Sequence, residues 1–297
     1  MAALLDDATR QLTGAGASSP RLDAELLLGH VLGVERTGVI AHPNAPLSTG
    51  QEATFRALLD RRLSGTPVAY LRGFREFHGL AFAIDERVLI PRPETELLVD
   101  LVVERVRTVL TRAPRPSGTP PVRVWDVGTG SGAIAVAVAV TLRRGGFLDE
   151  VRLTASDISP EALAVAIENA VAHGVADRIE LVHADLVDAS PMLPADVLVA
   201  NLPYVPSDTI PTLAPDVRAE PMVALDGGID GLDLVRRLLA GMPRATVPGA
   251  MALLEIGADQ SEAVAALARA VLPGWELDWR DDLAGVRRVA VLEGPVR

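Results

Sequence analysis

The sequence predicts an α/β fold: a largely parallel sheet covered by helices on both faces, behind a separate all-helical N-terminal segment. Two observations predict it. From Val122 onward, apolar runs of strand length alternate with segments of helical spacing, the pattern of a parallel sheet wrapped by helices. Before that point, residues 1 to 64 repeat their apolar residues at helical spacing with no strand-like run. A third observation concerns function. Polar and glycine residues sit immediately after several of the apolar strands, where open α/β sheets hold their ligands.

The elements follow in order. Leu22, Leu26, Leu27, Val31 and Leu32 mark a helix behind Ser18-Ser19-Pro20, which offers a cap and a proline at the first helical position. Phe55, Leu58, Leu59 and Leu63 mark another, starting near Ser48. Gly65-Thr66-Pro67 ends this part. Residues 65–91 read as a β-hairpin connector, with Val68-Ala69-Tyr70-Leu71 and Leu80-Ala81-Phe82-Ala83-Ile84 as short strands joined through Gly73 and Gly79. Pro93 suits a first helical position, with Glu94 and Glu96 behind it favouring a helix N-terminus, and that helix runs to about Leu110. A Pro-rich loop follows over 111–121. Strands are expected near 122–127, 151–156, 178–183, 195–200, 249–256, 274–280 and 286–292. Helices are expected near 132–144, 160–173, 229–241 and 259–271. The last two strands form a terminal hairpin.

Composition excludes several classes of function. The 297 residues contain no Cys, so neither a disulfide framework nor a thiolate metal site is available. The five His show no ligand spacing, and no metal is expected. All 28 basic residues are Arg, against 39 acidic ones, for a net charge of −11. That balance lacks the basic footprint of a general nucleic-acid binder. No apolar run reaches membrane-spanning length. The N-terminus shows no signal-peptide pattern. A cytoplasmic monomer that touches neither membrane nor nucleic acid is expected.

Three places carry chemistry. The first is Asp126-Val127-Gly128-Thr129-Gly130-Ser131-Gly132, a turn whose glycines let the backbone approach a ligand and whose following helix offers free amides. The same spacing fits dinucleotide binding; the strand-end acid Asp126 tilts the reading to S-adenosylmethionine. The second is a pair of further strand-end acids. Asp157 is placed to accept hydrogen bonds from ribose hydroxyls, and Asp185 to lie near the adenine amino group. Asp157 can also be read as a helix cap. The third is Asn201-Leu202-Pro203-Tyr204, directly after the apolar run 196–200. An amide or exocyclic amino nitrogen is a poor nucleophile. The Asn201 side-chain oxygen and the Leu202 carbonyl can each accept one of its hydrogens and so aim its lone pair at a sulfonium methyl. Pro203 biases Leu202 to an extended backbone, and Tyr204 offers a face for a flat group.

These motifs, with Asp23 to Leu28, Pro67 to Leu71, Arg75 to Phe77, Ile90 to Glu96, Arg218 to Pro221 and Ala224 to Gly228, resemble the bacterial protein-(glutamine-N5) methyltransferases that modify peptide chain release factors. The resemblance covers nearly the whole chain. It implies a helical substrate-recognition domain over 1–64, the hairpin connector over 65–91, and a seven-stranded Rossmann-like class I methyltransferase domain over 92–297. It implies methylation of the Gln in the Gly-Gly-Gln motif of class 1 release factors. It assigns S-adenosylmethionine to Gly128, Thr129, Gly130, Ser131, Gly132, Asp157, Leu186 and Asn201. It assigns substrate to Asn201, Leu202, Pro203 and Tyr204, with Arg92 and Glu94 at the pocket border. Two residues depart from the family: Leu202 stands where Pro is usual, and Leu186 where some relatives carry an aromatic. Because Asn-Leu-Pro-Tyr also occurs in adenine-N6 methyltransferases, adenine methylation of nucleic acid stays open at this point. So does methylation of a ribosomal-protein glutamine.

Overall fold

A computed structural model describes residues 1–112, 116, 118–188 and 194–296. Two compact units make up the chain: Met1–Arg75 with Leu213–Ala219, and Glu76–Thr212 with Glu220–Arg297. Among the described residues no helix is long and apolar enough to cross a membrane. The Pro-rich loop expected over 111–121 falls partly outside the described residues.

The first unit is helical. It contains α1 (Ala2–Gly14), α2 (Pro20–Leu32), α3 (Arg36–Ala41), α4 (Thr49–Leu63) and α5 (Val68–Arg72), together with the single turn α9 (Pro215–Arg218). Leu5, Leu12, Leu27, Leu28, Phe55 and Leu59 form its core. Ser48 caps α4 in a reciprocal box with Gln51, which satisfies two of the end's free amides at once. Pro20 does open α2, but the Ser19 side chain makes no capping hydrogen bond, contrary to expectation. Arg62 is buried and bonds Asp23 at 2.8 Å and Asp216 at 3.0 Å.

Val68 to Leu71 is helix α5 and not the strand expected there. Pro67 sits at its N-cap and Gly73, at φ +78°, ends it. A short apolar run has no periodicity that separates a strand from a buried helical turn. The hairpin is therefore β1 (Phe74–Phe77) with β2 (Leu80–Ala83). Its turn residues His78 and Gly79 have φ of +50° and +69°, as a two-residue turn with both residues left-handed requires. His78 is held there by Glu96, which accepts its N–H at 2.8 Å, and by Asp100 against Nε2 at 3.0 Å.

The second unit is the sheet. A 3-10 turn over Pro93–Thr95 leads into α6 (Glu96–Thr111). Then come β3 (Val122–Val127), α7 (Ala133–Arg144), β4 (Val151–Asp157), α8 (Pro160–Ala172), β5 (Ile179–His183), β6 (Ala195–Ala200), α10 (Met222–Leu225), α11 (Asp233–Ala245), β7 (Thr246–Glu255), α12 (Ser261–Val271), β8 (Glu276–Asp281) and β9 (Arg287–Glu293). The seven-stranded order is β5-β4-β3-β6-β7-β9-β8. The first five strands are parallel; β9 runs antiparallel to both its neighbours. Helix α11 begins at Asp233, four residues later than its pattern suggests, because Gly231 is left-handed at φ +73° and cannot lie within the helix.

The strand order fixes where a ligand can go. From β3 the chain steps outward through β4 to β5, then returns to the other side of β3 with β6. That reversal opens a crevice at the carboxyl ends of β3 and β6. The register pairs Val127 with Ala200 and with Ser156, so Gly128, Asp157 and Asn201 leave the sheet side by side.

Candidate active site

A cavity of about 500 Å³ lies in this crevice, wholly within the second unit. Gly128, Thr129, Gly130, Ser131, Asp157, Asp185, Leu186, Asn201, Leu202 and Pro203 all line it. Asp126, Gly132, Tyr204, Arg92 and Glu94 are not among its lining residues.

The Gly-rich turn is tied down by the neighbouring strand. Ser156 O accepts the N–H groups of Gly128 and Thr129 at 2.8 and 2.9 Å. Asp157 Oδ2 accepts Gly130 N–H at 2.8 Å, and its Oδ1 accepts Ser159 N–H at 2.9 Å. Gly130 has φ of +55°, and a Cβ there would point into open space. Glycine is therefore needed at Gly130 for its backbone and not for want of room. Gly132 is needed on both counts: its φ is +78°, and a Cβ there would come within 3.1 Å of Ala166 in α8. Ser159, not Asp157, caps α8 through Ala162 N–H. Asp157 thus braces both the turn and the approach to α8.

Asp126 lies beneath the cavity floor. It is 1% exposed. Its Oδ2 accepts from Thr129 Oγ1 at 2.6 Å and from Ala135 N–H at 3.2 Å, while Oδ1 is buried without a partner. Its position supports the turn from within. Burial pushes its carboxyl up to about 7, and pushes Glu255 up to about 7 as well. Both values lie above the ordinary range of about 4, so the fold favours the protonated forms. Their stabilising contribution is complete below about pH 4 and is lost as pH rises through about 7. The denaturation midpoint should accordingly fall between about pH 5 and pH 8, and Asp126→Asn should flatten the decline. Parallel profiles for variant and wild type would contradict this account of Asp126.

The Asn201 loop is held on both sides. Asn201 Nδ2 donates to Thr95 Oγ1 at 3.0 Å, and Thr95 Oγ1 lies 2.7 Å from Glu255 Oε2. Gln260 Nε2 donates to the Tyr204 carbonyl at 3.0 Å. The Leu202 side chain is 5% exposed and belongs to the core around Leu198, Leu238 and Ile256. A Cβ on Gly128 would touch Leu202 Cδ2 at 3.0 Å. Leu202 therefore brings the two loops into contact as well as presenting a carbonyl. Burial pushes the Tyr204 hydroxyl pKa up.

Beside the cavity lining, Arg92 donates to Glu220 Oε1 at 2.5 Å, and Glu220 Oε2 accepts Ile90 N–H at 3.0 Å. This pair joins the turn before α6 to the segment carrying α10, whose Met222 and Val223 line the mouth. Asp185 bonds Arg237 at 2.7 Å. Leu186 has φ of +52°, a strained conformation for a side chain of this size that the surroundings must hold in place.

Sequence reasoning passed over Thr95, Glu255, Gln260 and Arg237. Glu255 carries the same signal as Asp157, an acid closing an apolar strand. Thr95 sits inside the Ile90 to Glu96 segment, between Glu94 and Glu96.

A seven-stranded sheet with this reversal and an antiparallel β9, a Gly-rich turn after β3 and a polar loop after β6 define a class I methyltransferase. Residues 3–73 match the family described as the PrmC N-terminal domain, and residues 115–229 match that described as ribosomal protein L11 methyltransferase (PrmA). A release factor glutamine methyltransferase of Moorella thermoacetica is 43% identical over 90% of this chain and 89% of its own. One of Deinococcus radiodurans is 38% identical over 96% of this chain and 95% of its own. The crystal structure of the hMettl16 catalytic domain in complex with MAT2A 3'UTR hairpin 6 shares the fold at TM-score 0.55 and 16% identity, over 76% of this chain and 80% of that one. The chain belongs to the release factor glutamine methyltransferase family.

Proposed function

We propose that this cleft transfers a methyl group from S-adenosylmethionine to the side-chain amide nitrogen of the Gln in the Gly-Gly-Gln motif of class 1 release factors. The observation that carries the reading is the state of the Asn201 amide. Nδ2 donates one of its hydrogens to Thr95 Oγ1, which fixes the amide's orientation and leaves Oδ1 as the acceptor for a substrate N–H at the cavity wall.

The residues present suit S-adenosylmethionine. Gly130 leaves open space where any side chain would stand. Each Asp157 oxygen already accepts one backbone N–H and keeps a lone pair for a ribose hydroxyl. Leu186 offers an apolar surface for adenine, beside Asp185. When bound, S-adenosylmethionine supplies an electrophilic methyl on its sulfonium. The chain's part is orientation. Asn201 Oδ1 and the Leu202 carbonyl hold the two amide hydrogens, which turns the nitrogen lone pair toward the methyl. The packed loop keeps that geometry without cost at the moment of reaction. The S–CH3 electron pair would stay on sulfur as a neutral thioether, and the methylated nitrogen, now positively charged and strongly acidic, would pass one of these hydrogens to water as a proton, so no strong base is required. Arg92 and Glu94 border the substrate's approach. The reading includes a cytoplasmic monomer whose partner is a protein.

Side-by-side incubation with labelled S-adenosylmethionine, one arm containing release factor and the other RNA, tests the substrate class. Label should enter release factor alone; label confined to RNA would overturn the assignment.

A grip on one amide cannot select one glutamine among many, so selectivity must come from a wider surface. We assign part of it to residues 1–64. A chain beginning at Gly65, shown folded by circular dichroism, should bind S-adenosylmethionine normally but raise KM for intact release factor. An unchanged kcat/KM would give the helical segment another role.

A further inference from the structure

We infer that Thr95 and Glu255 are positioning residues that fix which face of the Asn201 amide meets the substrate, and so set the cleft to receive an N–H donor. This rests on the reading that Asn201 grips the substrate amide.

An Asn amide is nearly symmetric in shape. A flip about its last torsion exchanges oxygen for nitrogen at almost no steric cost, so only hydrogen-bond polarity can hold it in one state. The polarity here is set from Glu255. It closes β7, which pairs directly with β6 in the register Ala200 with Leu254, and so stands one strand from Asn201. Glu255 is 3% exposed and Thr95 4%, so water does not compete for these bonds. Above about pH 7, where Glu255 is ionised, its carboxylate only accepts. Thr95 therefore commits its single hydroxyl proton to Glu255 Oε2, at 2.7 Å. Toward Asn201, at 3.0 Å, Thr95 Oγ1 has only lone pairs left. It can accept from Nδ2, but a flipped Asn201 would set two acceptors against each other. Oδ1 is thereby held toward the cavity, as an amide N–H donor requires.

The charged and titratable groups around Glu255 are Arg92 and Glu94 from the turn before α6, Arg288 from β9, and Tyr204 from the loop after β6. Protonated, Glu255 could donate to Thr95 and free the Thr95 proton for Asn201 Oδ1. The lock would then open. Activity should thus fall on the acid side as Glu255 takes up its proton.

The test compares Thr95→Val, Thr95→Ser and Glu255→Gln with Asn201→Ala, on intact class 1 release factor and S-adenosylmethionine. Thr95→Val keeps the shape and removes the hydroxyl. It should lower kcat roughly 10²-fold while calorimetry finds cofactor affinity unchanged, which also reports a folded cleft. Thr95→Ser restores the hydroxyl and should recover most of the loss. Glu255→Gln should remove the acid limb of the kcat profile, and this readout stands even if Thr95→Val fails to fold. Wild-type kcat in Thr95→Val, or an unaltered acid limb in Glu255→Gln, while Asn201→Ala is inactive, would overturn the positioning role alone. An active Asn201→Ala would instead remove the reading on which it rests.

Discussion

Asn201→Ala should lower kcat by roughly 10²–10³, or about 3–4 kcal/mol of transition-state stabilisation, the usual consequence of removing one preorganised polar contact. Cofactor affinity should fall far less, because the rest of the cavity, from Gly128 to Leu186, is untouched. The fold should survive. Asn201 lies past the end of β6, and its side chain bonds Thr95. That bond's loss leaves Thr95 with its Glu255 partner intact. Single-turnover kinetics separate the two effects: the chemical step should slow while the cofactor dissociation constant stays close to that of the wild type. A variant with near-normal kcat on release factor would show that the amide is held by something other than Asn201.

Asp157→Ala should weaken S-adenosylmethionine binding by about 1.5–3 kcal/mol, the range for hydrogen bonds to a charged group. The structure adds a second reason beyond the ribose contact. Both carboxylate oxygens already hold backbone, Gly130 N–H on one side and Ser159 N–H on the other. Alanine would release the turn at the residue whose open backbone forms the cofactor cradle. Asp157→Asn keeps the size and one acceptor oxygen, and should fall between wild type and alanine. Titration calorimetry decides it. Unchanged affinity in Asp157→Ala would leave the carboxylate as a brace alone.

The parts of this protein that the sequence makes legible share a physical cause. Strands buried on both faces are largely apolar, so 122–127 and 195–200 stand out, and the polar residues that end them mark the crevice. The Gly-rich turn and Asn201 are therefore legible from the sequence alone. What stayed hidden depends on partners distant in sequence. Thr95 and Glu255 meet across 160 positions and Thr95 and Asn201 across 106, and no local pattern records that. Gly132 reads as a ligand glycine until Ala166 is seen against it. Val68 to Leu71 reads as a strand because its four residues carry no period, and only Pro67 and Gly73 at its ends betray a helical turn. Strand-end acids were read after β3, β4 and β5; the same rule applied to β7 would have found Glu255.

Tandem mass spectrometry of release factor, after incubation with the enzyme and S-adenosylmethionine, tests the account most directly. It predicts a mass gain of one methyl on the peptide containing Gly-Gly-Gln, with the fragments locating it on the side-chain amide of that glutamine. A release factor left unmodified, or a methyl on any other residue, would contradict it.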